Sequence, residues 1–162
     1  MDETAIAPLR DARVPFVVKP HDDEAYTSEE VAKERGVRIS QIVKCMIARS
    51  ADGELVALLI PGDKRLKLKK VRKFVDGSPL ALVDPAELEN DHGLVVGAIS
   101  PVQLLGKARI FMDPTVLDER LVDISSGGPR AGIELASRDL REFVGAQVED
   151  IVSTRSQEPS AA

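Results

Sequence analysis

One lysine stands where apolar residues would be expected. In "QIVKCMIARS", residues 41–50, Lys44 is surrounded by Ile42, Val43, Cys45, Met46, Ile47 and Ala48. A short β-branched run of this kind predicts a buried strand. Side chains alternate faces along a strand, so Lys44 shares a core-facing side with Ile42, Met46 and Ala48. Two readings stand. Either the lysine snorkels, its stem buried and its head in water, or it lies at the mouth of a pocket and binds an anion. Burial without a partner would move its pKa by up to ~3–5 units; a phosphate or carboxylate beside it would keep it charged.

A second candidate is the loop "GAISP". Gly97 permits a positive φ or a close backbone approach, and Pro101 stiffens the far end. Between them Ala98, Ile99 and Ser100 could offer backbone N–H groups to a ligand oxygen, or the segment is only a turn. A third is "SSGGPRAGIE", where Ser126, Gly127 and Gly128 suit a nest of amides for an anion, with a plain hairpin turn as the alternative. Ser126 lacks the G-x-S-x-G setting of a hydrolase nucleophile. His21 and His92 lie far apart without a cysteine or second histidine near either, so neither metal nor cofactor is expected. Cys45 adjoins Lys44, points to the opposite face and reads as a small buried apolar residue rather than a nucleophile. Finally, "DKRLKLKKVRK" gathers Lys64, Arg65, Lys67, Lys69, Lys70, Arg72 and Lys73. Lys69, Arg72 and Lys73 form a stripe at helical spacing, which is either a solvated face or a phosphate-binding one.

These residues need elements to hold them. Residues 3–12 predict a short helix with Ala5, Ile6 and Leu9 on one side, followed by the strand "FVVK". Thr27 to Gly36 is the best-marked helix: Thr27 caps it, Glu30 completes a capping box, and Gly36 stops it. Strands 42–49 and 55–60 flank Asp52-Gly53, a hairpin signal. A basic helix over 67–75 follows, with Leu68, Val71 and Val75 as its apolar stripe. "PLALVD", "LVVG", "RIFMD", "LVDIS" and "IELA" read as strands, "PAELEND" as a short helix opened by Pro85, and "RDLREFV" as a helix capped by Ser137 and ended by Gly145. "QVEDIV" closes the domain. Helices scattered among short strands, without regular alternation, predict an α+β fold: a mixed, strongly curved, barrel-like sheet with flanking helices.

The 162 residues suit a single domain, over 1–152, with a polar and disordered tail at 153–162. Apolar residues make up 43% and charged residues 30%, an ordinary globular balance. No apolar run is long enough to cross a membrane, "MDETAIAPLR" lacks the features of a signal peptide, and one cysteine cannot build a disulfide framework. A cytoplasmic location is expected. The net charge of −5 argues against indiscriminate nucleic-acid coating. Aromatic residues at 3% argue against a stacking platform for single-stranded RNA.

Taken in order, "TSEEVAKERGV", "QIVKCMI", "LKLKKVRKFV", "GLVVGAISP" and "SSGGPRAGIELASRDL" resemble the YbaK family, the prolyl-tRNA synthetase-associated editing domains, over about residues 3–152. The resemblance implies a barrel-like mixed sheet with flanking helices and hydrolysis of mischarged aminoacyl-tRNA. With no synthetase attached, it implies a free-standing form acting in trans, with the tRNA and a synthetase as partners. It also implies that Lys44 lies near the 3′ end of the tRNA and that Gly97–Pro101 lies against the aminoacyl group. On this reading the Gly97 and Ala98 amides stabilise the oxyanion. Ile99, Ser100, Pro101, Ser126, Gly127 and Gly128 shape the substrate site, and Lys69, Arg72 and Lys73 meet the acceptor stem. The chain also departs from the family pattern. Cys45 stands where a threonine is common, Gly132 where an aspartate is common, and no histidine lies near Glu134. A silent tRNA- or synthetase-binding module of the same fold is therefore the alternative, and a hydrolase of small molecules a third reading.

Overall fold

The computed structural model describes residues 3–154. The chain opens with helix α1 (Glu3–Asp11), which buries Ala5, Ile6 and Leu9, and strand β1 (Val17–Pro20). Helix α2 (Ser28–Arg35) is bounded as the sequence predicts. The Thr27 side chain accepts from the Glu30 N–H, the Glu30 carboxylate accepts from the Thr27 N–H, and Gly36 ends the helix at φ 64°. Strands β2 (Val43–Ser50) and β3 (Leu55–Pro61) form the expected hairpin across Asp52-Gly53, with Gly53 at φ 89°.

The basic segment is helical but shorter in its α-helical part. Helix α3 (Leu68–Val71) passes into a 3₁₀ turn at Arg72–Phe74. Strand β4 (Leu80–Leu82) and helix α4 (Pro85–His92) follow, the latter capped by Asp84 and stopped by Gly93 in the left-handed region. "LVVG" is not a strand: residues 94–97 form a loop and turn, and Val95 and Val96 are exposed. The remainder is β5 (Arg109–Met112), β6 (Leu121–Ser125), β7 (Ala131–Ala136), α5 (Ser137–Val144) and β8 (Gln147–Val148). Ser137 is the first helical residue of α5 rather than its cap, and its hydroxyl donates to the Glu119 carbonyl.

The expected mixture of helices and strands is present, but the single barrel-like sheet is not. The strands form two open sheets, of order β4-β2-β3-β5-β8 and β1-β7-β6. The first is mixed: β2 pairs antiparallel with β3 and β4, while β5 pairs parallel with β3 and β8. The two sheets do not close into one: β6 turns back to pair with β7, and meets the residue before β2 through an isolated parallel bridge between Ile42 and Asp123.

Alternation along β2 and β3 divides the buried residues between two cores. Val43, Ile47, Ala57 and Leu59 face the larger one, with α1, β6 and β7. Ala48, Val56, Leu58 and Ile60 face a smaller one, closed by Val71 and Val75 of the basic segment and by Ile151. The C-terminal segment is tied down as far as Ser153, whose N–H donates to the Arg65 carbonyl. The rest of the predicted tail, 155–162, lies outside the described residues.

Candidate active site

A cavity of about 250 Å³ opens where the two sheets meet, a little below the ~300–1,000 Å³ typical of small-molecule sites. One wall is β2, with Val43, Lys44, Cys45, Met46 and Ile47. A second is the entry to α2, Tyr26, Thr27, Ser28 and Val31. A third is Val96, Gly97 and Ile99, a fourth is Leu82, Val83, Pro85 and Leu88 around the entry to α4, and Asp123 and Ser125 of β6 also line it. Apolar side chains dominate, so water is a poor competitor for a ligand's apolar surface while a few polar groups fix its orientation.

Lys44 is half-buried on the side of β2 that carries Met46 and Ala48, against the smaller core. Its Nζ donates to the Lys64 carbonyl at 2.8 Å, at the start of the basic segment. Burial lowers its pKa, and the carboxylates of Glu29 and Asp63 work in the other direction. The lysine thus lies between the cavity and the cationic stretch. Beyond it Arg65, Lys67, Lys69, Arg72 and Lys73 are exposed. Lys70 pairs with Asp150 at 3.0 Å, and Lys73 lies over the Phe74 ring. Cys45 points the other way, as alternation requires, into the larger core and the cavity wall. Burial pushes its thiol up to about 12. It is therefore protonated near neutral pH and a poor nucleophile.

Gly97 is at φ 89°, and a Cβ there would lie 2.5 Å from the Tyr26 carbonyl oxygen. The glycine is required both by its backbone angle and by the approach of the α2 entry. The Ala98 N–H is already taken by the Val95 carbonyl at 2.9 Å, and the Ser100 N–H by the Gln103 side chain at 2.8 Å. Ser100 in turn caps the 3₁₀ turn begun by Pro101, and Ala98, Ser100 and Pro101 are buried. Of this loop, Gly97 and Ile99 reach the cavity wall. The nest "SSGGP" stands apart from it. Ser126 is fully buried and donates to the Ala131 carbonyl at 2.8 Å, and the Gly127 N–H donates to Ser125 Oγ at 3.1 Å. The cavity is lined by the preceding residue, Ser125, rather than by Ser126, Gly127 or Gly128.

The sequence gives no hint of the polar end of the cavity. Asp123, 1% exposed, pairs with Arg35 of α2, whose guanidinium also donates to the carbonyls of Ile124 and Ala131. Arg35 packs against Gly132, where any Cβ would collide with the guanidinium. Burial pushes the Asp123 carboxyl up, against the pull of Arg35 and Lys19. A helix-terminal arginine reads as a dipole partner, and an aspartate in "LVDIS" as an outward strand residue; only the fold, across 88 positions of sequence, makes them a pair. Among the described residues no group of His, Cys, Asp and Glu side chains could hold a metal ion, and no helix is long and apolar enough to cross a membrane.

Residues 22–143 match the sequence profile of the aminoacyl-tRNA editing domain, and the chain belongs to that family. Among its relatives, the proline–tRNA ligase of Fervidobacterium nodosum is 27% identical over 142 residues, covering 87% of this chain and 24% of the ligase. The chain thus spans about a quarter of the length of that enzyme. The uncharacterised protein YwhH of Bacillus subtilis is 25% identical, with 78% of this chain and 80% of YwhH covered. Among solved structures, hypothetical protein APE2540 superposes with a TM-score of 0.85 at 28% identity, covering 93% of this chain and 99% of that one. A proposed trans-editing enzyme for prolyl tRNA synthetase superposes at 0.79 and 25% identity, covering 94% and 99%.

Proposed function

We propose that the protein is a deacylase that acts in trans on mischarged aminoacyl-tRNA in the cytoplasm, with tRNA and a synthetase as its partners. The observation that carries this reading is the continuity of the small apolar cavity with Lys44 and the exposed cations beyond it. An aminoacyl group fits a cavity of this size, and the tRNA's phosphates suit the positive stretch outside. The family membership and the likeness to the trans-editing structure support the same reading.

The ester of an aminoacyl-tRNA is already activated, so no protein nucleophile is required. Water, oriented by a hydroxyl of the substrate, adds to the carbonyl carbon and gives up one proton. The tetrahedral oxyanion collapses, the bond to the terminal ribose oxygen breaks, and that oxygen takes up a proton. Gly97 offers its N–H to the oxyanion, a contribution typically worth about 10²–10³ in rate. The Ala98 N–H, held by Val95, keeps the turn in shape instead. Lys44 holds the terminal phosphate or ribose of the tRNA, and Ile99 packs on the aminoacyl group. Ser100 and Pro101 brace the loop from behind, as Ser126, Gly127 and Gly128 brace Ser125. Lys69, Arg72 and Lys73 contact the acceptor stem.

The test is deacylation of a panel of mischarged tRNAs by the wild type and by Lys44→Ala. The expected result is turnover of at least one substrate and its loss in the variant. Wild-type turnover by Lys44→Ala would remove the lysine from the site. No turnover of any substrate, with tRNA still bound, would favour a silent binding module.

A further inference from the structure

Lys44 shares the cavity edge with two carboxylates, brought there by the turn after β3 and by the first turn of α2. β3 ends at Pro61, paired with Val43, the residue before Lys44. The chain then folds back on itself. The Lys64 N–H donates to the Pro61 carbonyl at 3.1 Å, and the Gly62 N–H to the Ile42 carbonyl at 2.7 Å. A Cβ at Gly62 would lie 2.6 Å from the Ile39 carbonyl oxygen, so no larger residue fits there without moving the turn. The turn holds the Lys64 carbonyl against Lys44 Nζ, at 2.8 Å, with Asp63 one residue before it. Glu29 comes from α2, between Ser28 and Val31, which line the same cavity as Lys44.

Each carboxylate has one oxygen, Asp63 Oδ1 and Glu29 Oε1, that is buried and accepts no hydrogen bond among the described residues. An anionic oxygen shut off from water needs a cation near it. Arg65 is exposed, so solvent weakens what it can supply. Lys44 is half-buried and already fixed by the turn that carries Asp63. The influence is mutual. Burial lowers the Lys44 pKa, Glu29 and Asp63 raise it, and Arg65 lowers it.

We propose that Asp63 and Glu29 are positioning residues for the deacylation: they hold the Lys44 amine at the cavity edge as an ammonium, the form that meets the terminal nucleotide of the tRNA. This rests on the deacylase reading and adds to it the groups that make Lys44 fit for its part. The signs follow from the charges. Turnover that needs the ammonium is lost as pH rises through the Lys44 pKa. Asp63→Asn keeps the size of the side chain and removes one negative charge, which brings that loss to lower pH, and Glu29→Gln does the same. Arg65→Gln removes a positive charge and moves the loss to higher pH, by less, because Arg65 is exposed.

The experiment follows the Lys44 ¹³Cε resonance against pH in the full-length wild type and the three variants, with the resonance assigned by its absence from Lys44→Arg. In parallel, kcat/KM is recorded against pH for the mischarged tRNA that the wild type hydrolyses fastest, corrected for spontaneous hydrolysis of the ester. Asp63→Asn and Glu29→Gln should each lower the Lys44 midpoint by about one pH unit, as loss of an opposite charge at close range does. The alkaline limb of kcat/KM should move with it, and Arg65→Gln should move both the other way. Midpoints that stay in place in Asp63→Asn and Glu29→Gln, or that fall in Arg65→Gln as well, overturn the inference alone. Midpoints that move while the alkaline limb stays overturn the positioning role. A wild type that hydrolyses no mischarged tRNA overturns the deacylase reading and the positioning role with it. If Asp63→Asn does not fold, Glu29→Gln and Arg65→Gln carry the same test, since their opposite signs cannot come from a general loosening of the fold.

Discussion

One cation borders the cavity, another backs the aspartate in its wall, and the two are held in opposite ways. Lys44 sits at its edge, half-buried, its amine on a backbone carbonyl at 2.8 Å with Glu29 and Asp63 in its field. Arg35 lies behind its floor, with a side chain 3% exposed, paired with the lining residue Asp123 and bonded to two carbonyls. The edge cation is half-buried and reaches the start of the basic segment. The floor cation is part of the fold. On the proposed function, the edge cation is the group that meets the substrate and the floor cation the group that fixes the position of Asp123.

The sharpest break of this comparison is Arg35→Ala. It strands a buried carboxylate, which costs about 3–5 kcal/mol in comparable cases. The same change at Lys44 removes a charged amine from a backbone carbonyl, a hydrogen bond of about 1.5–3 kcal/mol. Urea titrations of both variants should show this order, and Arg35→Met/Asp123→Leu should recover most of the loss. The Arg35→Ala deficit also depends on pH. Burial already raises the Asp123 pKa in the wild type, and loss of Arg35 raises it further. A carboxyl whose pKa is higher folded than unfolded favours the fold in acid, and that advantage is lost as pH rises through the folded value. The deficit should therefore be smallest in acid and grow toward neutrality. A deficit that does not vary with pH would mean that Asp123 is not the group stranded.

Next in size is Gly97→Ala. The sequence alone favours a loss of turnover over stability, because the loop reads as a substrate contact. The structure adds a structural cost: the Cβ would lie 2.5 Å from the Tyr26 carbonyl oxygen, at a φ of 89°. Strain of that kind costs about 1–3 kcal/mol. Both melting temperature and turnover should fall, and an unchanged melting temperature would show that the α2 entry yields easily.

What could be read in advance divides along the same line. Lys44 is visible because an isolated charge breaks a local apolar pattern, and α2 because its cap, box and stop lie within ten residues. The Arg35–Asp123 pair is invisible because each member looks ordinary where it stands. "LVVG" reads as a strand because Val95 and Val96 are β-branched; they are exposed instead, and Gly97 turns the chain with a positive φ. The barrel expectation fails for a similar reason. Strand sequences do not tell whether β6 turns back onto β7 or carries on along β2.

The cationic stretch extends the edge of the site outward and predicts a smaller, salt-dependent effect. Lys69, Arg72 and Lys73 are exposed. If they meet tRNA phosphates, their replacement by alanine should reduce the log–log salt slope of tRNA binding by up to about 2–3 units. KM for aminoacyl-tRNA should rise, while an aminoacyl-adenosine substrate, too short to reach the stretch, should be unaffected. Equal slopes would limit the tRNA footprint to Lys44 and the cavity.

The smallest effect is expected from Cys45, which lies on the wall between edge and floor. A cysteine beside a lysine in a site that handles esters invites a thioester mechanism, so its inertness has to be argued. Alternation on β2 turns the thiol away from Lys44, so the ammonium does not stabilise a thiolate. Burial then pushes the thiol pKa to about 12. At pH 8 the thiolate fraction is on the order of 10⁻⁴, against about a quarter for a free cysteine of pKa ≈ 8.5. Alkylation of the folded protein by iodoacetamide should accordingly be slow at pH 8 and speed up only as pH approaches the raised value. Cys45→Ala should keep most of the deacylase activity. Rapid alkylation at pH 8 combined with complete loss of turnover in a folded Cys45→Ala variant would replace the water mechanism with a covalent one. It would also move the centre of the chemistry from the loop at Gly97 to the strand.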